Sequence, residues 1–393
     1  MVSQGKARDP GHPAISLKGV TKSYGGKDVV RGVDIEIPRG ELLVLIGPSG
    51  CGKTTILRMI NRLVEPSGGT ILIEGDDTAG MDPVALRRRM GYVIQGIGLF
   101  PHMRVSANVS VVPGLKGVAR EEARIIADRA LEMVGLSPGE FGGKWPRELS
   151  GGQQQRVGVA RALAGDPEII LMDEPFGALD PISRITLQDE LLDLQAKLEK
   201  TIVFVTHDIH EAMKMGNRIA IMKDGTLSQV GEPLQLLSSP ADDFVSDFVG
   251  AENPLSMFSF MKVKDVSLRT DGLPLAGMDD DIEAARRSAH ATSLWFFRDK
   301  FVYVIDDGRL QGSVSVERTG KRRSSGSLRD MLEPATTVRS SRTVQEALGL
   351  MVSSGIANVA VVDEDGKFLG ILSFGDMYDI VQQQKEKSEE NTL

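Results

Sequence analysis

The stretch that most constrains this chain runs from Glu41 to Thr55, Glu-Leu-Leu-Val-Leu-Ile-Gly-Pro-Ser-Gly-Cys-Gly-Lys-Thr-Thr. Its apolar run, residues 42–46, reads as a strand of a parallel sheet buried on both faces. The run ends in Gly47-x-x-x-x-Gly52-Lys53-Thr54, and apolar residues at helical spacing follow at Ile56, Leu57, Met59 and Ile60. Strand, glycine loop and helix together make this spacing a phosphate-binding loop. Glycines let backbone N–H groups turn inward around phosphate oxygens, and the helix that starts at the lysine points its positive end at the same anion. The loop residues are Gly47, Pro48, Ser49, Gly50, Cys51, Gly52, Lys53, Thr54 and Thr55. Lys53 supplies a point charge for the terminal phosphates, and the Thr54 hydroxyl is placed to ligate Mg²⁺.

A chain of 393 residues predicts two or three domains. A formal net charge of −8 argues against a general nucleic-acid binder. One cysteine, Cys51, rules out an internal disulfide and suits a reducing compartment; inside the loop it reads as a small packing residue. No apolar run approaches the ~18–20 residues that span a bilayer. Residues 1–13 are polar, without a secretory core, and read as a loose arm.

Further motifs follow in order. Residues 14–20 and 29–37 alternate like antiparallel strands. Tyr24 lies between them, either as a platform for an adenine ring or as a half-buried strand tyrosine. Residues 83–90 begin with proline at a helix start and are basic on one face. Residues 92–95 form a strand ending at Gln95, and the apolar loop after it reads as a contact surface. Residues 105–147 read as helical, with 120–134 the clearest amphipathic stretch. Leu149-Ser-Gly-Gly-Gln153 places Ser150 as a helix cap and leaves backbone N–H groups open in the first turn, a second anion cradle. Residues 168–174 form a buried strand that ends on Asp173 and Glu174; an acid there can hold a Mg²⁺ shell, and the next can polarise a water. Asp180 follows in a turn, and residues 181–200 read as a long amphipathic helix. After the buried strand 201–205 come Thr206, His207 and Asp208, at the carboxyl edge where open α/β sheets bind ligands.

These motifs stand in the order found in ATP-binding cassette (ABC) subunits, which the chain resembles over residues 14–236. The resemblance implies an α/β P-loop ATPase: a parallel core sheet, an antiparallel β subdomain and a helical subdomain. It implies ATP and Mg²⁺ as ligands, with Tyr24 stacking on adenine and Thr54, Gln95 and Asp173 at the metal. Glu174 is then the catalytic base, assisted by His207 and Gln95. Two copies would pair head to tail, so that Ser150, Gly151, Gly152 and Gln153 of one copy meet ATP on the other's phosphate loop, with Asp180 beside them. The partners implied are a second copy, an integral membrane permease and, indirectly, an external solute-binding protein. The place implied is the cytoplasmic face of the membrane. Residues 60–66, 87–103 and 172–181 resemble importers of glycine betaine, choline and related quaternary ammonium osmoprotectants. Importers of other small solutes and soluble cassette ATPases are the alternatives.

Residues 237–260 read as closing helices and a linker, the linker at 251–259. Beyond them an internal repeat appears, Val304-Ile-Asp-Asp-Gly-Arg-Leu-Gln-Gly312-Ser-Val-Ser315 against Val361-Val-Asp-Glu-Asp-Gly-Lys-Phe-Leu-Gly370-Ile-Leu-Ser373. Each copy reads as helix, strand, turn, strand, with helices near 281–289 and 344–353. The pair, residues 261–384, resembles tandem CBS modules, an α+β domain with copies near 261–318 and 327–384. The resemblance makes Ser373 and Asp376 the residues that grip a ribose in the second copy. The first copy keeps Ser315 but carries Arg318 where the acid belongs. An adenine-nucleotide site and a ligand-free dimerisation module both remain open. Lys321, Arg322 and Arg323, between the copies, are either a solvated linker or a contact for anionic lipid. Residues 385–393 read as a disordered polar tail.

Overall fold

The computed structural model describes residues 12–96, 98–177, 179–250, 257–281, 283–284, 287, 301–315 and 328–390, with side chains described up to residue 382. They form two compact units that divide at Val249 and Gly250, save that Leu237–Ser239 group with the second.

The first unit opens with β1 (Ile15–Tyr24), β2 (Lys27–Ile37), β3 (Leu42–Ile46), α1 (Lys53–Ile60), β4 (Gly68–Ile73) and β5 (Asp76–Asp77). It continues through α2 (Pro83–Arg88), β6 (Met90–Val93), α3 (Val105–Leu115), α4 (Arg120–Met133), α5 (Pro138–Phe141) and α6 (Gly151–Leu163). It closes with β7 (Ile169–Asp173), α7 (Pro181–Leu198), β8 (Thr201–Val205), α8 (Ile209–Met215), β9 (Arg218–Lys223), β10 (Thr226–Gly231), α9 (Pro233–Ser238) and α10 (Asp243–Val249). Strands β3, β7 and β8 are buried at every position, as continuous apolar runs require of inner parallel strands. The main sheet has the order β10-β9-β3-β8-β7-β6, parallel except for β10. The alternating strands build a second sheet, β2-β1-β4-β5, antiparallel throughout. Ile15, Leu17, Val33 and Ile71 of this sheet share one core with Leu43, Leu45, Leu171 and Met222 of the main sheet.

Helix α4 buries Ala123, Ala127, Ala130 and Leu131, the stripe its periodicity predicts. Helix α7 departs from the expected amphipathic pattern. Its buried positions are Leu187, Gln188 and Leu191, one of them polar, and Ile182 is 79% exposed. Strand β6 begins and ends earlier than the expected 92–95, because Met90 and Gly91 already pair with Ile169 and Ile170.

The second unit contains β11 (Leu275–Gly277), β12 (Phe301–Asp306), β13 (Arg309–Ser315), β14 (Thr337–Arg339), α11 (Val344–Ser354), β15 (Asn358–Val362), β16 (Phe368–Ser373) and α12 (Phe374–Glu390). The repeat is real in three dimensions: two three-stranded sheets, β11-β12-β13 and β14-β15-β16, each open with a short parallel strand and close with a hairpin. The copies also exchange backbone. Arg269, ahead of the first sheet, bridges Ile371 in the second; Glu333, ahead of the second sheet, bridges Ser313 in the first. The glycines that mark the repeat are explained by this exchange. A Cβ on Gly312 would stand 2.5 Å from the Glu333 carbonyl oxygen, and one on Gly370 2.8 Å from that of Arg269.

One expectation is corrected. Helix α12 runs on to Glu390 where a disordered tail was expected from 385, because Gln, Lys and Glu are good helix formers that propagate an established helix. Of the expected linker 251–259, residues 251–256 lie outside the described residues, and Met257 and Phe258 are buried. Most of the expected helix 281–289, together with Arg318, Lys321, Arg322, Arg323 and residues 1–11, lies outside the described residues.

Candidate active site

Strands β3, β8, β7 and β6 lie side by side and parallel, so their carboxyl ends deliver four loops to one edge of the sheet. From β3 the chain turns through the phosphate loop. Gly52, at φ 107, caps α1 in a left-handed conformation, and a Cβ there would meet the Val29 carbonyl oxygen at 2.8 Å. A Cβ on Gly47 would meet the Met222 carbonyl oxygen at 2.2 Å, so the loop is pressed between β2 and β9. Lys53 is buried in the first turn of α1, and its Nζ donates to the carbonyls of Gly47 at 2.7 Å and Pro48 at 3.0 Å. Cys51 is a buried packing residue, with its Sγ 3.7 Å from the same ammonium.

Strand β7 ends on the two acids. Asp173 is 1% exposed and accepts a hydrogen bond from Thr54 Oγ1 at 2.9 Å. Burial pushes its carboxyl above the ordinary range, against the opposing pull of the Thr54 bond and of Arg58. Glu174 turns out of the strand at φ 45, anchored by its N–H to the Val205 carbonyl at 2.9 Å. Gln95 Nε2, from the β6 loop, donates to Glu174 Oε2 at 3.0 Å. His207 Nδ1, from the β8 loop, lies 3.4 Å from Glu174 Oε1. Three loops therefore converge on one carboxylate, one residue beyond the acid bound to the phosphate-loop threonine. The donor set at Asp173, a carboxylate bonded to the Thr54 hydroxyl, is oxygen-based and suits a hard divalent cation.

The remaining predicted residues occupy their expected elements. Ser150 caps α6: its Oγ accepts from Gln153 N–H at 3.3 Å, while Gln153 Oε1 accepts from Ser150 N–H at 3.0 Å. Gly151 and Gly152 form the first turn of that helix. Asp180 caps α7 through Ser183 N–H at 3.0 Å, and its bonds with Ser183 hold its carboxyl below the usual range. Tyr24 ends β1 at the hairpin tip with 47% of its surface exposed and Lys22 Nζ 4.9 Å from its ring centre. It is an exposed aromatic at the end of a strand, with the Lys22 ammonium over its ring. Sequence reasoning missed Glu211, a buried acid in α8 that accepts the Thr206 hydroxyl at 2.6 Å. The signal was present: Asp208-x-x-Glu211 has the spacing of a helix capping box.

The ABC transporter family model matches residues 30–177, and the CBS domain model matches residues 326–382. The choline transport ATP-binding protein OpuBA of Bacillus subtilis is 43% identical over 378 residues, covering 93% of this chain and 96% of the relative. The chain belongs to the ABC transporter family, among its ATP-binding proteins. The glycine betaine/carnitine/choline transport ATP-binding protein OpuCA of the same organism is 43% identical over 96% of this chain and 99% of its own. The osmoprotectant import ATP-binding protein OsmV of Salmonella typhimurium is 42% identical over 91% and 94%. Among solved structures, the dimeric ABC transporter cassette MJ0796 matches with a TM-score of 0.51 and 38% identity, covering 56% of this chain and 98% of that one. The same cassette is known in a dimeric post-hydrolysis state bound to ADP and Pi. The chain is thus an ABC-type ATPase with a C-terminal CBS domain. Among its described residues no helix is long and apolar enough to cross a membrane.

In the CBS domain, Ser373 and Asp376 are brought together, but they face each other. Asp376 Oδ2 accepts from Ser373 N–H at 2.8 Å and from its hydroxyl at 2.6 Å, and Oδ1 takes Arg269 Nη2 at 3.0 Å. Ser373 is fully buried.

Proposed function

We propose that this ATPase energises uptake of quaternary ammonium osmoprotectants, of the glycine betaine and choline class, through a separate membrane permease. The observation that carries the catalytic reading is the meeting of Gln95 and His207 on Glu174, beside the Thr54–Asp173 bond. The solute class rests on the relatives, whose names include choline, carnitine and glycine betaine transport.

Lys53 and the backbone N–H groups of residues 49–55 bind the phosphates, and Tyr24 offers the face for adenine. Thr54 and Asp173, with Gln95 nearby, would hold Mg²⁺, which would supply charge neutralisation at the phosphates. Glu174 Oε2 accepts a proton from the attacking water, and Gln95 and His207 fix the direction of that carboxylate. Gln95 and His207 are polar groups placed for the γ-phosphate and the water, so most of the rate comes from positioning. The capped start of α6 presents Ser150, Gly151 and Gly152 to ATP on a second copy, as the dimeric relatives support.

The permease meets a groove of about 340 Å³ lined by residues including Asn61, Val84, Arg87, Tyr92, Leu115 and Arg161. Val84 is 50% and Leu115 60% exposed, the apolar surface a docked segment needs. Arg161 ties this groove to the loop after Gln95: its Nη1 donates to the Gly98 carbonyl at 2.8 Å, and its guanidinium lies 5.7 Å from the Phe100 ring centre. On this reading the chain works at the cytoplasmic face of the membrane, where ATP is supplied. For the CBS domain, the occupied carboxylate of Asp376 favours a structural or regulatory module, because a ribose would have to displace Arg269.

The test is copurification of the permease from detergent-solubilised membranes, followed by reconstitution in vesicles and ATP-driven uptake of labelled choline, glycine betaine and an unrelated amino acid. Uptake of the two quaternary amines alone supports the reading. Uptake of the amino acid alone, or of nothing while ATP is hydrolysed at full rate, refutes it.

A further inference from the structure

His207 is placed by its backbone. Its side chain is 65% exposed, and the contact described for it is the one with Glu174 at 3.4 Å. A histidine this exposed does not hold its own ring in line with a carboxylate; the residues on either side of it must. Those residues are tied together across it. Thr206 N–H donates to the Leu45 carbonyl at 3.2 Å, which fixes Thr206 to the end of β3. The Thr206 hydroxyl accepts from Asp208 N–H at 3.1 Å and donates to Glu211 Oε2 at 2.6 Å. Asp208 Oδ1 in turn caps α8, accepting from His210 N–H at 2.8 Å and from Glu211 N–H at 3.4 Å. The residues before and after His207 are therefore closed into one ring of bonds with Glu211 at its far side.

We propose that Glu211 is a positioning residue for ATP hydrolysis: through Thr206 and Asp208 it fixes the backbone that aims His207 at Glu174, and it ties that loop to α7. The second oxygen makes the tie. Glu211 Oε1 accepts from Gln188 Nε2 at 3.3 Å and lies 3.7 Å from Arg184 Nε, while Arg184 Nη1 reaches Asp208 Oδ2 at 3.4 Å. Gln188 and Arg184 both belong to α7, whose cap is Asp180. The histidine loop and the helix that follows Glu174 are thereby held in one frame.

The side chain is a poor choice for stability alone. Glu211 is 6% exposed, and burial raises its carboxyl above the ordinary range, with the neighbouring Asp208 adding to the effect. A neutral glutamine of the same shape would avoid the desolvation of a charge, though it would give up the ionic contact with Arg184. A residue that breaks the local rule for stability and organises a catalytic loop is placed for function.

This inference rests on the proposed roles of His207 and Glu174, and the experiment separates the two. Steady-state ATP hydrolysis by the full chain is measured for wild type, Glu211→Gln, Thr206→Val, His207→Ala and the double variant Glu211→Gln/His207→Ala, with Tm for each. Misplacing a catalytic group by a fraction of an ångström to an ångström lowers rate by roughly ten- to a hundredfold. The expected result is a loss in kcat of about tenfold for Glu211→Gln and for Thr206→Val, with KM for ATP held and Tm lowered for Thr206→Val, which strips buried partners from Asp208 N–H and Glu211; rates are read well below every Tm. Adding Glu211→Gln to His207→Ala then changes kcat by less than about twofold, because the group being positioned is gone. An equal loss with and without His207 overturns the inference, as does full activity in both Glu211→Gln and Thr206→Val. Full activity in His207→Ala overturns the role of His207 itself, and the inference with it. Thr206→Val leaves Glu211 in place, so a folding defect in the Glu211 variant does not decide the outcome.

Discussion

Replacing Glu174 tests both the chemistry and the backbone at the centre of the site. Glu174→Gln keeps the side-chain shape, and its amide oxygen still accepts from Gln95, whose Nε2 is 3.0 Å away. What is lost is the capacity to take a proton from water. General-base catalysis contributes about 10²–10⁴-fold, or ~2.7–5.4 kcal/mol of barrier at 1.36 kcal/mol per decade. ATP affinity should stay within about threefold, since no bond described for Glu174 is to the phosphate loop. Hydrolysis is measured by phosphate release and affinity by equilibrium binding of a fluorescent ATP analogue. A variant that retains more than a tenth of wild-type turnover removes Glu174 as the base. The backbone gives a second reading. Glu174 has φ 45, where an L-residue is strained by about 1–2 kcal/mol relative to glycine. Glycine's extra chain entropy offsets ~0.5–1 kcal/mol of that. Glu174→Gly should therefore be more stable than Glu174→Ala by roughly 0.5–1 kcal/mol, although both are inactive. Equal urea midpoints for the two would limit the strain to the ~0.5–1 kcal/mol that glycine's entropy offsets, below the range expected of a left-handed residue.

Other outcomes follow from the second unit and from pH. Tyr303 donates to Asn358 Oδ1 at 2.9 Å in a buried contact between the two repeats, so Tyr303→Phe should cost ~1–2 kcal/mol in chemical denaturation of that unit. Gly312→Ala and Gly370→Ala force a Cβ against a carbonyl and should each cost ~1–3 kcal/mol, whereas Gly349→Ala, in open space on α11, should gain roughly 0.5–1 kcal/mol; thermal melts of all three check the contrast. Because the carboxyl of Glu211 is raised in the folded chain, folding favours its protonated form. Stability from this group is highest below the ordinary glutamate range and falls as pH rises through that range to the raised value. Glu211→Gln should flatten this part of the profile of urea midpoint against pH, and an unchanged slope would count against the burial argument.

The site was legible where chemistry is local. A phosphate loop is a backbone device, and Gly47 and Gly52 announce it because no side chain fits against Met222 and Val29. Asp173, Glu174 and His207 were found because each lies at the end of a five-residue buried strand or within two residues beyond it, and the order of the sheet then brings those ends together. What the sequence hid was contact between distant segments. Arg269 and Glu333 join the opposite repeat through single bridges, too short to leave an alternating pattern. Glu211 was hidden for another reason: its spacing from Asp208 fits an ordinary cap, and only the fold turns its carboxylate toward Thr206 and α7. The polar composition after residue 384 misled for a third, since a helix once started tolerates residues that would not nucleate one.

The crossed bridges of Arg269 and Glu333 carry a consequence for how this chain can change over generations. Each repeat finishes the other's sheet edge, so loss of either alone would leave its twin with raw, unpaired backbone and a tendency to recruit the missing piece from a neighbouring molecule. Shortened descendants should therefore discard the pair as a whole, and a half-length remnant should survive only as an intertwined assembly of identical chains.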